Sequence, residues 1–312
     1  MHIQHWLPYF ILFAAACITA LLVTPLASKI AWKVDAVDRP EARRINTKPI
    51  PRMGGIAIFV ALLVTYIMLF SGLKSFQLPL TLMPPRQFSV DYQILGLAVV
   101  VIFVTGLLDD KFTLKPHQKL IGQILAGIIA AASGLVLGSI INPFTGKIMS
   151  LGLWTYPITV LYLVAYTNII NLIDGLDGLA SGIGMISSLT MFILAFGARR
   201  FDAAALAISL AGACLGFLRY NFHPASIFLG DSGSMLIGFM LGTISLLNVT
   251  RIAGLTTIII PLVVAGIPIM DTFSAIIRRL RGHVSISQAD RGHIHHRLIA
   301  EGYDQRQAGL VM

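Results

Sequence analysis

Nine apolar runs dominate the chain, near residues 7–31, 53–71, 92–108, 120–141, 152–173, 179–197, 203–218, 233–248 and 253–277. Each approaches the roughly 20 residues that a helix needs to cross about 30 Å of hydrocarbon. In lipid every backbone N–H and C=O must find a partner within the chain, which leaves only helices and closed barrels. These runs are continuous rather than alternating, which argues against barrel strands. The expected fold class is therefore all-α, a polytopic integral membrane helix bundle with about nine transmembrane helices. Composition agrees: 56% of the 312 residues are hydrophobic and 12% are charged, against about 25% charged in soluble domains. Pro261 and Pro268 are expected to kink the ninth helix. No soluble domain or internal repeat interrupts the series, so residues 1–312 read as one membrane-embedded domain.

The first run lacks a basic leader and is too long for a signal peptide, so it counts as a span. Cys17 and Cys214 both lie in apolar runs, so neither a disulfide framework nor a cysteine metal site is indicated. The formal charge of +9 reports loop topology and anionic lipid rather than nucleic acid. Most Lys and Arg fall in inner loops 32–52, 109–119, 171–178, 219–232 and 278–306 when the N-terminus is outside, so that orientation is expected. Of the 14 acidic residues only Asp91 and Asp202 then lie outside. Positive-inside bias does not account for acids. A face bearing both signs, with asparagines, histidines and glycines, reads either as a site for charged substrates or as a set of solvated loops.

Five inner stretches carry the candidate chemistry. DRPEARRINTKPIPRMGG (38–55) is irregular and basic, a positive-inside loop or a phosphate contact. LLDDKFTLKPHQKLIGQ (107–123) opens with adjacent carboxylates at a helix end, where at least one needs a cation, a donor or a proton. NIINLIDGLDGLASG (168–182) places Asn168, Asn171, Asp174 and Asp177 three residues apart at a hairpin mouth, where an ordinary cap uses one such residue. In NFHPASIFLGDSGS (221–234), Asp231 sits at a helix N-terminus, as a cap or as a Mg²⁺ ligand beside N–H groups that receive a phosphate. RGHVSISQADRGHIHHRL (281–298) holds His293, His295 and His296 without a recognised zinc spacing, so phosphate contact is favoured over zinc.

Taken together, PIPRMGG (49–55), LLDDKF (107–112), NIINLIDGLDGLASG (168–182), NFHPASIFLGDSGS (221–234) and DRGHIHHRL (290–298) resemble the polyprenyl-phosphate N-acetylhexosamine-1-phosphate transferase family, in family order. The HIHHRL form is similar to the branch acting on UDP-GlcNAc, with the phospho-MurNAc-pentapeptide transferases of peptidoglycan synthesis as the alternative. A secondary transporter is the competitor from another class, but its acids would sit nearer the midplane.

The resemblance implies transfer of a sugar 1-phosphate from a UDP-sugar to undecaprenyl phosphate, with release of UMP, as the first membrane step of an envelope glycan. It also implies Mg²⁺, with Mn²⁺ as a substitute, an active site facing the cytoplasm from a bacterial inner membrane, and a possible homodimer. By position, Asn171 and Asp231 match the metal ligands. Asp109 and Asp110 match the pair assigned to acceptor activation, and Asp174 a site carboxylate. Lys119 matches a phosphate-contacting lysine; Asp177, Asn221 and Phe228 match positions near the nucleotide, with Lys48 on the same side. His293, His295 and His296 match a loop that closes on the sugar phosphates. The family carries at least one further helix after that loop, so a C-terminal helix or helices are expected to be missing here.

Overall fold

The computed structural model describes residues 6–40, 48–70, 90–141 and 147–248. Eight α-helices run through them: α1 (Leu7–Lys33), α2 (Gly55–Phe70), α3 (Tyr92–Phe112), α4 (Pro116–Ala132), α5 (Thr155–Ile173), α6 (Leu179–Gly197), α7 (Phe201–Asn221) and α8 (Gly230–Asn248). Two small antiparallel pairs interrupt them, β1 (Val37–Asp38) with β2 (Ile50–Pro51) and β3 (Ser139–Ile141) with β4 (Ile148–Ser150).

Within the described residues the expected count of transmembrane helices is lowered. Among the described residues six helices (α1, α3, α5, α6, α7 and α8) are long and apolar enough to cross a membrane. The other two are shorter: α2 is apolar but 16 residues long, and α4, which opens with the polar PHQK, has 17. The run at 253–277 lies outside the described residues, as does the histidine loop. The run at 120–141 is also redrawn. Pro116, whose missing N–H costs nothing in a first turn, starts α4 four residues earlier. The helix stops at Ala132, before Gly134 at φ +91°, and the chain re-emerges as β3.

Helices α7 and α8 form the buried centre, flanked by α1, α3, α5 and α6. Small residues permit this. A Cβ on Gly212 would stand 2.4 Å from the carbonyl oxygen of Phe13, and one on Gly216 2.3 Å from that of Cys17, so α1 and α7 touch backbone to backbone. Several hydroxyls inside the helices are satisfied locally. Thr105, Thr159, Thr167 and Ser209 each donate to the carbonyl four residues back, at 2.6–2.8 Å. The outer surface exposes large apolar side chains, among them Phe10, Leu22, Ile67, Ile121, Leu161 and Ile193, as a lipid-facing surface requires.

Successive helices alternate in direction. The ends of α1, α3, α5 and α7 and the starts of α2, α4, α6 and α8 therefore meet at one end of the bundle. The two acids assigned to the other side do lie at the opposite end, with structural partners. Asp91 caps α3 through the N–H groups of Gln93 (2.9 Å) and Ile94 (3.2 Å). Asp202 is buried, accepting from the Tyr92 hydroxyl at 2.6 Å with Arg200 3.7 Å away.

Candidate active site

The polar end is built from helix termini. The chain after β2 runs beside the loop entering α8: Phe228 N–H donates to the Pro51 carbonyl (2.8 Å), while Gly54 and Gly55 N–H donate to the Phe228 and Leu229 carbonyls, both at 3.0 Å. This pairing brings the start of α2 against the start of α8. Helix α3 ends between them. Thr113 at φ +51° breaks it, and Arg52 donates from Nε (3.1 Å) and Nη2 (2.9 Å) to the Asp110 carbonyl. A cation at a helix C-terminus meets the negative end of the dipole.

The adjacent aspartates diverge, because neighbouring residues on a helix point about 100° apart. Asp109, 2% exposed, accepts from Leu114 N–H at 2.6 Å through Oδ1 and pairs through Oδ2 with Lys119. Asp110, fully buried, turns to the first turn of α8. It accepts from the N–H groups of Asp231 (2.8 Å) and Ser232 (3.1 Å) and from the Ser232 hydroxyl (2.5 Å). Of the Ser232 and Gly233 N–H groups expected to be open to a phosphate, Asp110 thus takes that of Ser232. Gly230, at φ +73°, is the residue this approach requires, since a Cβ there would stand 2.6 Å from Asp110 Oδ1.

Asp231 joins three helices. Its Oδ1 accepts from Asn171 Nδ2 of α5 at 2.7 Å and from Lys119 Nζ of α4 at 3.1 Å. Asn171 Nδ2 also reaches Ser234 Oγ at 2.8 Å. The Lys119 ammonium therefore lies between the carboxylates of Asp109 and Asp231. Two of these three side chains keep some exposure, Lys119 at 26% and Asp231 at 24%, while Asp109 is buried.

The asparagines at 168 and 171 part company. Asn168 pairs with Gln123 of α4, donating at 2.6 Å and accepting at 3.3 Å, whereas Asn171 faces α8. Asp174 lies just past the end of α5, where burial, then the carboxylates of Asp231, Asp110 and Asp177, raise its pKa well above the ordinary carboxyl range. Asp177 Oδ2 holds the loop after α7, bonding His223 Nδ1 at 2.9 Å and accepting from Ala225 N–H at 3.0 Å. Asn221 is buried and holds the same loop: it accepts from Ser181 Oγ at 2.7 Å and donates to the Ile227 carbonyl at 3.1 Å. Phe228 is half-buried and Lys48 exposed. His293, His295 and His296 lie outside the described residues.

The structure thus divides the candidates. Asp109, Lys119, Asn171 and Asp231 converge, while Asp110, Asp177 and Asn221 bond to the protein frame. Arg52, His223, Ser181 and Ser234 carry no sequence expectation, and Ser232 is expected only for its N–H, not for its hydroxyl. The serines stand one helical turn or less from a singled-out residue, which was the available signal. Asp109, Asp110, Asp174, Asp177 and Asp231 gather at this end, where Lys119 pairs with Asp109 and Asp231, a concentration of carboxylates that a bound cation would relieve. Among the described residues no group of three or more His, Cys, Asp or Glu is arranged to hold a metal alone. Oxygen from Asp231 and the Asn171 amide suits a hard ion that keeps water and substrate phosphate as its other ligands.

The sequence profile of glycosyl transferase family 4 matches residues 92–249, from α3 through α8. The chain is 38% identical over 300 residues to the probable undecaprenyl-phosphate N-acetylglucosaminyl 1-phosphate transferase of Bacillus subtilis (strain 168), covering 96% of this chain and 80% of that protein. It is 34% identical over 324 residues to the decaprenyl-phosphate N-acetylglucosaminephosphotransferase of Mycolicibacterium smegmatis, covering 95% and 77%. Against the phospho-N-acetylmuramoyl-pentapeptide-transferase of Moorella thermoacetica it is 34% identical over 284 residues, covering 86% and 81%. With its helical bundle, its acidic helix ends and this extent of similarity, the chain belongs to glycosyl transferase family 4.

Proposed function

We propose that this protein transfers a sugar 1-phosphate, GlcNAc 1-phosphate foremost, from a UDP-sugar to undecaprenyl phosphate. An oxygen of the acceptor phosphate attacks the phosphorus bearing the sugar, and the bond from that phosphorus to the oxygen bridging it to UMP breaks. UMP leaves with that oxygen, and a lipid-linked pyrophosphoryl sugar forms. The observation that carries the reading is the Asp231 carboxylate held between Asn171 and Lys119 at the polar end of the bundle. The similarity to polyprenyl-phosphate GlcNAc 1-phosphate transferases supports it. The Lys and Arg bias supports a cytoplasmic orientation for this end, and the family resemblance supports a bacterial inner membrane, where a nucleotide sugar and a lipid phosphate would meet.

Two anionic substrates approach each other only where their charge is offset. Lys119 provides one cation for the transferred phosphate, steered by Asp109. Mg²⁺ would be held by Asp231 and the Asn171 amide oxygen, and when bound it neutralises charge developing on the phosphoryl oxygens. A phosphate monoester has its second pKa near 6, so the acceptor is largely dianionic at neutral pH and positioning matters more than a base. The resemblance adds Asp174 as a site carboxylate, and Asp177, Asn221, Phe228 and Lys48 on the nucleotide side. It also adds His293, His295 and His296 over the sugar phosphates.

The test is UMP release by purified protein in detergent with undecaprenyl phosphate, Mg²⁺ and a panel of radiolabelled donors. UDP-GlcNAc should react and EDTA should stop it. Transfer from UDP-MurNAc-pentapeptide alone would assign the peptidoglycan reaction instead. No transfer from any donor would remove the enzyme reading.

A further inference from the structure

Asp110 is held at both its main chain and its side chain. Arg52 grips its carbonyl through Nε and Nη2, and the first turn of α8 donates three hydrogen bonds to its carboxylate. The side chain is 0% exposed. Gly230 lies so close that a single added carbon would stand 2.6 Å from Oδ1, which leaves no space for a ligand atom on that side. The neighbouring Asp109 instead pairs with Lys119, which also reaches Asp231.

We propose that Asp110 is a positioning residue: with Arg52 it locks the end of α3 to the first turn of α8 and so aims Asp231 at Asn171 and Lys119. The electrostatics favour the lock. Arg52 sits at the negative end of α3, and the Asp110 carboxylate at the positive end of α8. Without that carboxylate, two buried N–H groups of α8 lose their acceptor. The effect on turnover rests on the transferase reading above; the lock itself does not.

Hydrogen–deuterium exchange of the 229–236 segment, in the full chain in detergent, reads the lock without any reaction. Asp110→Asn should speed exchange there by about tenfold, the loss expected for a helix cap. Ser232→Ala and Arg52→Gln should give smaller rises, and Asp109→Asn none. In the transfer assay Asp110→Asn should lower kcat by about 10²-fold through misplacement, with acceptor KM within about twofold. Unchanged exchange in Asp110→Asn, or an acceptor KM raised tenfold or more, overturns the proposal. If Asp110→Asn fails to fold, Ser232→Ala and Arg52→Gln decide it through the same segment. If the wild-type protein transfers nothing, the reaction reading falls while the exchange comparison still judges the lock.

Discussion

Asn171 at the end of α5 donates from Nδ2 to Asp231 Oδ1 at the start of α8, across 2.7 Å and 60 residues of sequence. The pair ties the two halves of the polar end together, and both residues carry their groups on helix termini rather than on free loops. The same carboxylate oxygen receives Lys119, so a change to any of the three is felt by the others.

Asp231→Asn should lower kcat by about 10²–10³-fold, as for loss of one preorganised electrostatic group. Asn171→Ala should raise the half-saturating Mg²⁺ concentration. A Mg²⁺ titration of UMP release checks both, and wild-type rates in Asp231→Asn would refute the metal assignment.

Lys119→Met removes the cation shared by Asp109 and Asp231. Leaving Asp109 buried without its partner should cost about 2 kcal/mol of stability. The metal-free protein should melt lower by scanning fluorimetry, and added Mg²⁺ should recover part of the loss if the ion binds beside Asp231.

Two glycines offer a controlled pair. Gly230→Ala places a carbon against the Asp110 carboxylate at a φ of +73°, adding about 1–2 kcal/mol of left-handed strain to the clash. Stability and turnover should both fall. Gly182→Ala, inside α6 with open space around it, should stabilise by about 0.5–1 kcal/mol. Thermal melts of the two variants should move in opposite directions.

The Asp174 carboxyl has its pKa raised by burial and by Asp231, Asp110 and Asp177. The folded protein therefore holds that proton more tightly than the unfolded chain. Its contribution to stability is full below the unfolded pKa of about 3.9 and is lost as pH rises through the raised folded value. Melting temperature measured from pH 4 to pH 8, in the absence of divalent ions, should fall less steeply in Asp174→Asn than in wild type. Parallel curves would show that Asp174 does not titrate differently in the two states.

Much of the fold was legible without coordinates. Each of the eight apolar runs within the described residues forms a helix, displaced by a few residues where Pro116, Gly134 and Thr113 set the ends. That four motifs would meet at one end followed from alternating spans alone. Their internal division did not. Asp109 and Asp110 look equivalent in LLDDKF, yet one pairs with Lys119 while the other caps α8. Asp177 and Asn221, which the resemblance sets near the nucleotide, also bond to the loop between α7 and α8, a tie that no local pattern announces.

By itself, then, the sequence determined the class of fold and the end of the bundle that carries chemistry, because hydrocarbon admits only backbone-satisfied helices and drives charged groups to their ends. Tertiary structure alone decided which polar groups face outward together and which are committed to the frame. Hydrogen-bond partners there come from helices as far as 122 residues apart. Choosing among them depends on how each helix is rotated and how deeply α8 sits against α2 and α3, which no local pattern encodes.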